Sequence, residues 1–470
     1  MPGYAGLQTN PATWLICAGL IACWVASLRL VPGWTQEGWP SLLKSFYGLV
    51  WMSFGLDIVL RFLELAYNAV EWSSGSLRLV ALLPNTVNAT LAWCGVYWVL
   101  VSLGFALVVR RPGPGPFEHT QVFTAEFAYA AAVPVALLAS LGFYVTEGQL
   151  VPLALLTPIA LLSNLYMVPA TVIWWDHFRR PGPKWRISAV HLLVLLPALI
   201  RSWRSPYREN LAPIILIPLV AAIFAGRRPA LRKLAPAGLI WLLLVSTAVA
   251  SYRRIKWDNA RPAEIFSEFR RATVADWFSG SWAEPLRRFH GFDSMLLTVE
   301  LVPSLEPYSG RNVLLIPFVH GFVPRFLYSG KSTEMAGTNF GERIWAFDDP
   351  VARERRVGNI APSMPGDLFE AGGVLFVALG GMIWGIVLGL ADGWKRHLPQ
   401  FSAAAITPLI MTHCAMSIER DFDLTLATFI QVLLVTVLVA GVIALVGRRI
   451  RFSSHRNSGE LLRTSWRALQ

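Results

Sequence analysis

The chain has 470 residues, 54% of them hydrophobic and only 15% charged, with a formal net charge of +12. A mean hydropathy of +0.49, spread over long apolar runs, excludes a string of soluble domains and leaves a polytopic membrane protein. The basic excess lies largely in short loops between those runs and in the tail, where it sets orientation and does not point to nucleic acid.

The expected fold is all-α and integral to the membrane, with about eleven transmembrane helices. The apolar runs cover about 12–29, 41–63, 85–109, 122–144, 150–174, 187–201, 211–226, 235–252, 371–391, 401–418 and 424–447, against the roughly 20 residues that a crossing needs. The sixth and seventh are short and fit a tight buried hairpin. The first lacks a basic leader and a cleavage site, and Arg29 closes it, so it reads as a retained span. Four regions follow: an N-terminal transmembrane bundle (1–252), a large outer loop (253–370), C-terminal transmembrane helices (371–447) and a basic tail (448–470).

Orientation comes from the loops. Arg110 and Arg111, then Arg179, Arg180, Lys184 and Arg186, then Arg227, Arg228, Arg232 and Lys233 mark alternate connections, and Lys395, Arg396, Arg448, Arg449 and Arg451 continue the series. The positive-inside rule puts these and the C-terminus in the cytoplasm, and interval 253–370 outside. That interval holds 15 Lys/Arg and 15 Asp/Glu, the balance of a folded surface. Pro262 and the spacing of Phe266, Phe269, Thr273 and Trp277 predict an amphipathic helix over about 262–278 lying along the membrane. The apolar stretch 312–323 is too short to cross and reads as re-entrant or interfacial. The basic tail is a solvated end attracted to anionic lipid.

Several residue groups could carry chemistry. The hairpin at 201–210 places Arg201, Arg204 and Arg208 outside, where positive charge is disfavoured. Either they hold an anionic ligand, which suits the fixed paired donors of arginine, or they pair with loop carboxylates, or the hairpin is inverted. Arg325 and Lys331 flank aromatic residues after Pro324, as an anion grip or as two cations snorkelling at the membrane boundary. Asp367 and Glu370 precede the ninth span, as a general base or as helix N-terminal acids. Asp57, Arg61 and Glu64 share a helical face and read as a structural ion-pair cluster. His290, His320 and His413 have no metal-ligand spacing, nor do Cys17, Cys23, Cys94 and Cys414. Glu419, Arg420, Asp421 and Asp423 read as a solvated outer turn.

The succession Tyr308-Ser-Gly310, Val323-Pro324-Arg325-Phe-Leu-Tyr328-Ser-Gly-Lys331, Gly366-Asp367 and a glycine-rich span from Gly372 to Gly389 resembles the bacterial oligosaccharide repeat-unit polymerases, or O-antigen polymerases. Gly-Asp stands where Gly-Glu is typical, and Tyr328 where Trp is typical. The resemblance implies a multi-pass enzyme of the bacterial inner membrane that joins undecaprenyl-diphosphate-linked repeat units at the periplasmic face. It implies no metal and no cofactor. Its partners would be those lipid-linked glycans, membrane lipids and a chain-length regulator. Arg325, Lys331 and Arg204, with Arg201 and Arg208 behind them, would hold the diphosphate. Asp367 would act as base, with Glu370 and His320 in reserve. An O-antigen ligase would share this site, with a His-centred loop motif. A transporter would show repeat symmetry and charges near the bilayer midplane.

Overall fold

A computed structural model describes residues 10–67, 84–109, 125–147, 150–180, 188–204, 208–227, 291–323, 362–396, 398, 400–415, 417–418 and 420–438. All the regular structure among them is helical. Among the described residues, four helices are long and apolar enough to cross a membrane: Pro11–Leu30, Pro84–Val109, Ala128–Thr146 and Met364–Arg396. Shorter apolar helical segments are Ala189–Ser202, broken at Val194–Leu195, and Pro213–Phe224 and Phe422–Leu438. The fold is that of a helical membrane protein. The apolar run at 235–252, the amphipathic helix at 262–278, and Arg325 and Lys331 lie outside the described residues.

In chain order, the helices used below are α1 (Pro11–Ala26), α2 (Phe46–Phe54), α3 (Arg61–Tyr67), α4 (Pro84–Val109), α5 (Ala125–Glu147), α6 (Leu153–Asn164) and α7 (Met167–Arg179). They continue as α8 (Leu196–Arg204), α9 (Arg208–Phe224), α10 (Gly291–Leu301), α11 (Ile316–Phe322), α12 (Met364–Arg396), α13 (Gln400–Ala415) and α14 (Phe422–Leu438).

The core is built on α4 against α12, the most extensive helix pair, with α1 and α10 also on α4. Glycines make that closeness possible. A Cβ at Gly385 would overlap the Val101 carbonyl, and one at Gly381 would lie 2.8 Å from the Tyr97 oxygen. Small residues four apart let helix backbones approach in this way. Beside this seam α2 and α4 stack aromatic rings: Tyr47 on Phe105 at 4.2 Å and Phe54 on Trp98 at 4.6 Å between centroids.

Three apolar runs expected as continuous spans are interrupted. Run 41–63 is divided by a π-helical stretch, Gly55–Leu60, between α2 and α3. Trp24 forces the local geometry: its ring fills the space a Cβ on Gly55 would need, and it stacks on Trp51 at 4.2 Å. Each indole of the pair donates to the other residue's carbonyl, at 3.0 and 2.8 Å. Run 150–174 is split into α6 and α7 at Leu165–Tyr166, and run 187–201 into a short helix, Ala189–Leu193, and α8.

Interval 253–370 contributes to the core. Residues 291–298 of α10 are all buried, packed on α4 and α12. Eleven residues cannot cross a membrane, but they can fill a gap among helices that do. Asp293 enters this setting because Arg61 meets it through two nitrogens, at 3.1 Å from Nε and 2.8 Å from Nη2. Glu64 completes the cluster on Arg61.

At one end of the bundle, Asp392 of α12 caps α2. It accepts from the Ser45 hydroxyl at 2.5 Å and the Phe46 amide at 2.9 Å. Lys395 pairs with Asp392 at 2.9 Å and lies over the Phe46 ring. Lys44 lies over the Phe224 ring, and Arg227, just beyond, donates to the Phe178 carbonyl at 3.2 Å. Arg179, Arg180, Arg227 and Lys395, from three of the basic connections, therefore belong to this end.

Candidate functional site

The other end gathers segments that are far apart in sequence. Ser363, at φ 63°, opens α12. Its hydroxyl accepts from the Gly366 amide at 3.3 Å and its carbonyl from the Asp367 amide at 2.8 Å, so it caps the first turn. The Met364 amide donates to the Ile418 carbonyl at 3.0 Å, tying this turn to the loop between α13 and α14.

The capped turn aims Asp367 into the protein, where its side chain is 0% exposed. Arg311 donates to one carboxylate oxygen, and the Phe422 amide to the other at 2.9 Å. Arg311 also reaches Asp423 at 3.7 Å. Burial alone would lower the Arg311 guanidinium; Asp367, then Glu370 and Asp423, outweigh it and hold it above its ordinary value. Arg311 keeps 33% of its side chain exposed and Asp423 21%. The result is a cation fixed from behind by a sealed carboxylate and open in front.

The helix then breaks at Gly372 and Gly373, where Gly373 has φ 68°. A break frees carbonyls that the next turn would have bonded. The Ser309 amide takes the Glu370 carbonyl at 2.9 Å, and the Gly310 amide takes that of Ala371 at 3.2 Å. The Tyr308 ring lies so close to Gly373 that a Cβ there would stand 3.0 Å from its hydroxyl. Tyr308-Ser-Gly310 and the Gly366–Gly373 stretch, two parts of the motif succession, are thus one piece of structure.

Arg201 projects near the end of α8. It donates to the Asn164 side chain at 3.4 Å and lies 4.9 Å from the Phe143 ring. It is also close enough to Arg420 for their like charges to act on each other. Burial first, and then Arg201, press the Arg420 guanidinium down, against Asp421; an arginine so placed stays charged at neutral pH. Arg204 ends α8 and Arg208 begins α9. Their side chains, and that of His320 on α11, lie outside the described residues.

Of the residues singled out from sequence, the structure therefore brings Asp367 and Glu370 to one end around Arg311. Through Arg420, which shortly precedes Asp423 at the start of α14, Arg201 joins the same end. Glu370 is buried at 4% exposure. Arg311, Arg420 and Asp423 were not foreseen as site residues. The available signal for Arg311 was its place directly after Tyr308-Ser-Gly310, where Gly310 turns the chain at φ 64°. For Arg420 and Asp423 the only signal was charge density, which a solvated turn also has.

The arrangement can orient an anion with guanidinium groups and hold a carboxylate beside it in a place shielded from bulk water. Among the described residues no group of three His, Cys, Asp or Glu is placed to hold a metal ion. No protein-family model, curated protein or solved structure matches this chain.

Proposed function

We propose that this chain is a membrane glycosyltransferase that polymerises undecaprenyl-diphosphate-linked oligosaccharide repeat units for a surface polysaccharide. It works at the periplasmic face of a bacterial inner membrane, crossing it about eleven times with its C-terminus in the cytoplasm. The observation that carries this reading is the convergence of Tyr308–Arg311, Gly366–Gly373, Arg201 and the Arg420–Asp423 loop at one end of the bundle. Arg201 and Arg420 hold like charges close together in a partly buried place, which a diphosphate would relieve. Arg204, Arg208, Arg325 and Lys331 complete the proposed grip.

The chemistry asked of the protein is modest. The leaving group is a lipid diphosphate, so guanidinium groups that hold it stabilise the charge developing as the glycosidic bond breaks. A carboxylate takes the acceptor proton. The test uses purified protein in proteoliposomes, supplied with lipid-linked repeat units extracted from a strain that lacks it. Wild type should yield a ladder of lengthening glycans, and Arg325→Ala should abolish the ladder at unchanged protein abundance. Transfer only onto a second lipid acceptor would replace this reading with a ligase. Intact repeat units throughout would end it.

A further inference from the structure

Two aspartates share the Arg311 guanidinium, and their surroundings differ. Asp367 is sealed: one oxygen is taken by Arg311 and the other by the Phe422 amide. Neither is open to a substrate. Asp423 is the partly exposed member. One oxygen accepts from the Leu424 amide at 2.6 Å, and the other stands 3.7 Å from Arg311. Asp423 stands in the first turn of α14, shortly after Arg420, whose guanidinium feels the charge of Arg201. A diphosphate held at this end of the bundle would meet the exposed carboxylate and not the sealed one.

We infer that Asp423 is the general base of the transfer, and that Arg311 and Asp367 are positioning residues that aim it. This inference rests on the reading of the chain as a glycosyltransferase. In the step, the acceptor hydroxyl oxygen bonds to the anomeric carbon of the donor sugar. The bond from that carbon to the diphosphate oxygen breaks, and its electron pair leaves with the diphosphate. The hydroxyl proton passes to the Asp423 oxygen that stands 3.7 Å from Arg311 and then to water. Asp367 cannot take that proton without giving up one of its two hydrogen bonds, and loss of the Arg311 contact would release the guanidinium from its anchor. The charged groups that act on Asp423 are Arg311 before α11 and Asp367 on α12.

The test compares wild type with Asp423→Asn, Asp423→Glu and Asp367→Asn in proteoliposomes with the same extracted repeat units. General-base removal costs about 10²–10⁴-fold in rate, so Asp423→Asn should lower kcat by at least about 100-fold while KM changes little. It should also erase the acidic limb of the kcat–pH profile. Asp423→Glu should restore part of the rate and keep the limb. Asp367→Asn should keep the limb but displace it, because it alters the setting of the base and not the base itself. Wild-type polymerisation alongside Asp423→Asn of unchanged kcat and unchanged acidic limb would overturn the inference alone. A wild type that leaves the repeat units unjoined would overturn the functional reading and this inference with it.

Discussion

Arg61 shows what a single charged side chain costs and secures inside this bundle. It is 6% exposed and held by Asp293 through two nitrogens, with Glu64 on its remaining side. Removing one member of such a buried pair leaves an uncompensated charge, typically about 3–5 kcal/mol. Asp293→Ala should therefore lower the detergent-solubilised protein's thermal midpoint sharply, followed by its tryptophan fluorescence. Replacing the whole cluster with apolar residues, Arg61→Met with Glu64→Leu and Asp293→Leu, should recover much of the loss. An equal loss in the triple variant would deny the pairing its structural role. The sequence showed two of its three members, Arg61 and Glu64. Asp57, Arg61 and Glu64 fall on one helical face by spacing alone, but Asp293 is 232 positions from Arg61, and no local pattern connects them. Asp367 was visible for a similar local reason, beside glycines at a helix start. Its partner Arg311, 56 positions away, was hidden because no local pattern connects the two.

Among the elements, the α4–α12 seam gives the clearest contrast. Gly385 faces the Val101 carbonyl with no room for a Cβ, whereas Gly393 on the same helix has nothing within 4 Å. Gly385→Val should cost at least about 1–3 kcal/mol, the usual penalty of overpacking. Gly393→Ala should be neutral or stabilise by up to about 1 kcal/mol, because alanine is the better helix former. Thermal midpoints of the two variants, measured side by side, check both; a tolerant Gly385 would mean the helices do not pack so closely. The apolar runs at 12–29, 85–109 and 122–144 each became one long helix, and that at 371–391 did so beyond the Gly372–Gly373 break. Those at 41–63, 150–174 and 187–201 have similar composition but are interrupted. Hydropathy reports that a segment leaves water. It does not report whether the helix is continuous, because the interruptions are set by neighbours such as the Trp24 ring against Gly55. It also passes over α10, which is too short to cross and carries Asp293, yet is buried.

At the scale of the whole molecule the charges separate into two ends of different character. One holds Lys44, Arg179, Arg180, Arg227 and Lys395 around the Asp392 cap; the other holds the Arg311–Asp367–Asp423 cluster and the Arg201–Arg420 pair. The positive-inside rule then predicts opposite compartments. With exposed Cys23 changed to serine, a cysteine at exposed Leu305 should react with a membrane-impermeant maleimide in spheroplasts. One at exposed Arg396 should react only after lysis; the reverse pattern would invert the topology. The break at Gly372–Gly373 has a mechanical meaning in this frame. Backbone bonds from Ser309 and Gly310 hold the head of α12 to a neighbouring loop, while its shaft is gripped along its length by α4. The joint between them carries no straight helical ladder, so the loop places the head and α4 places the shaft. When the bilayer thins or thickens and the shaft leans to follow it, Asp367 and the cation it anchors need not lean with it.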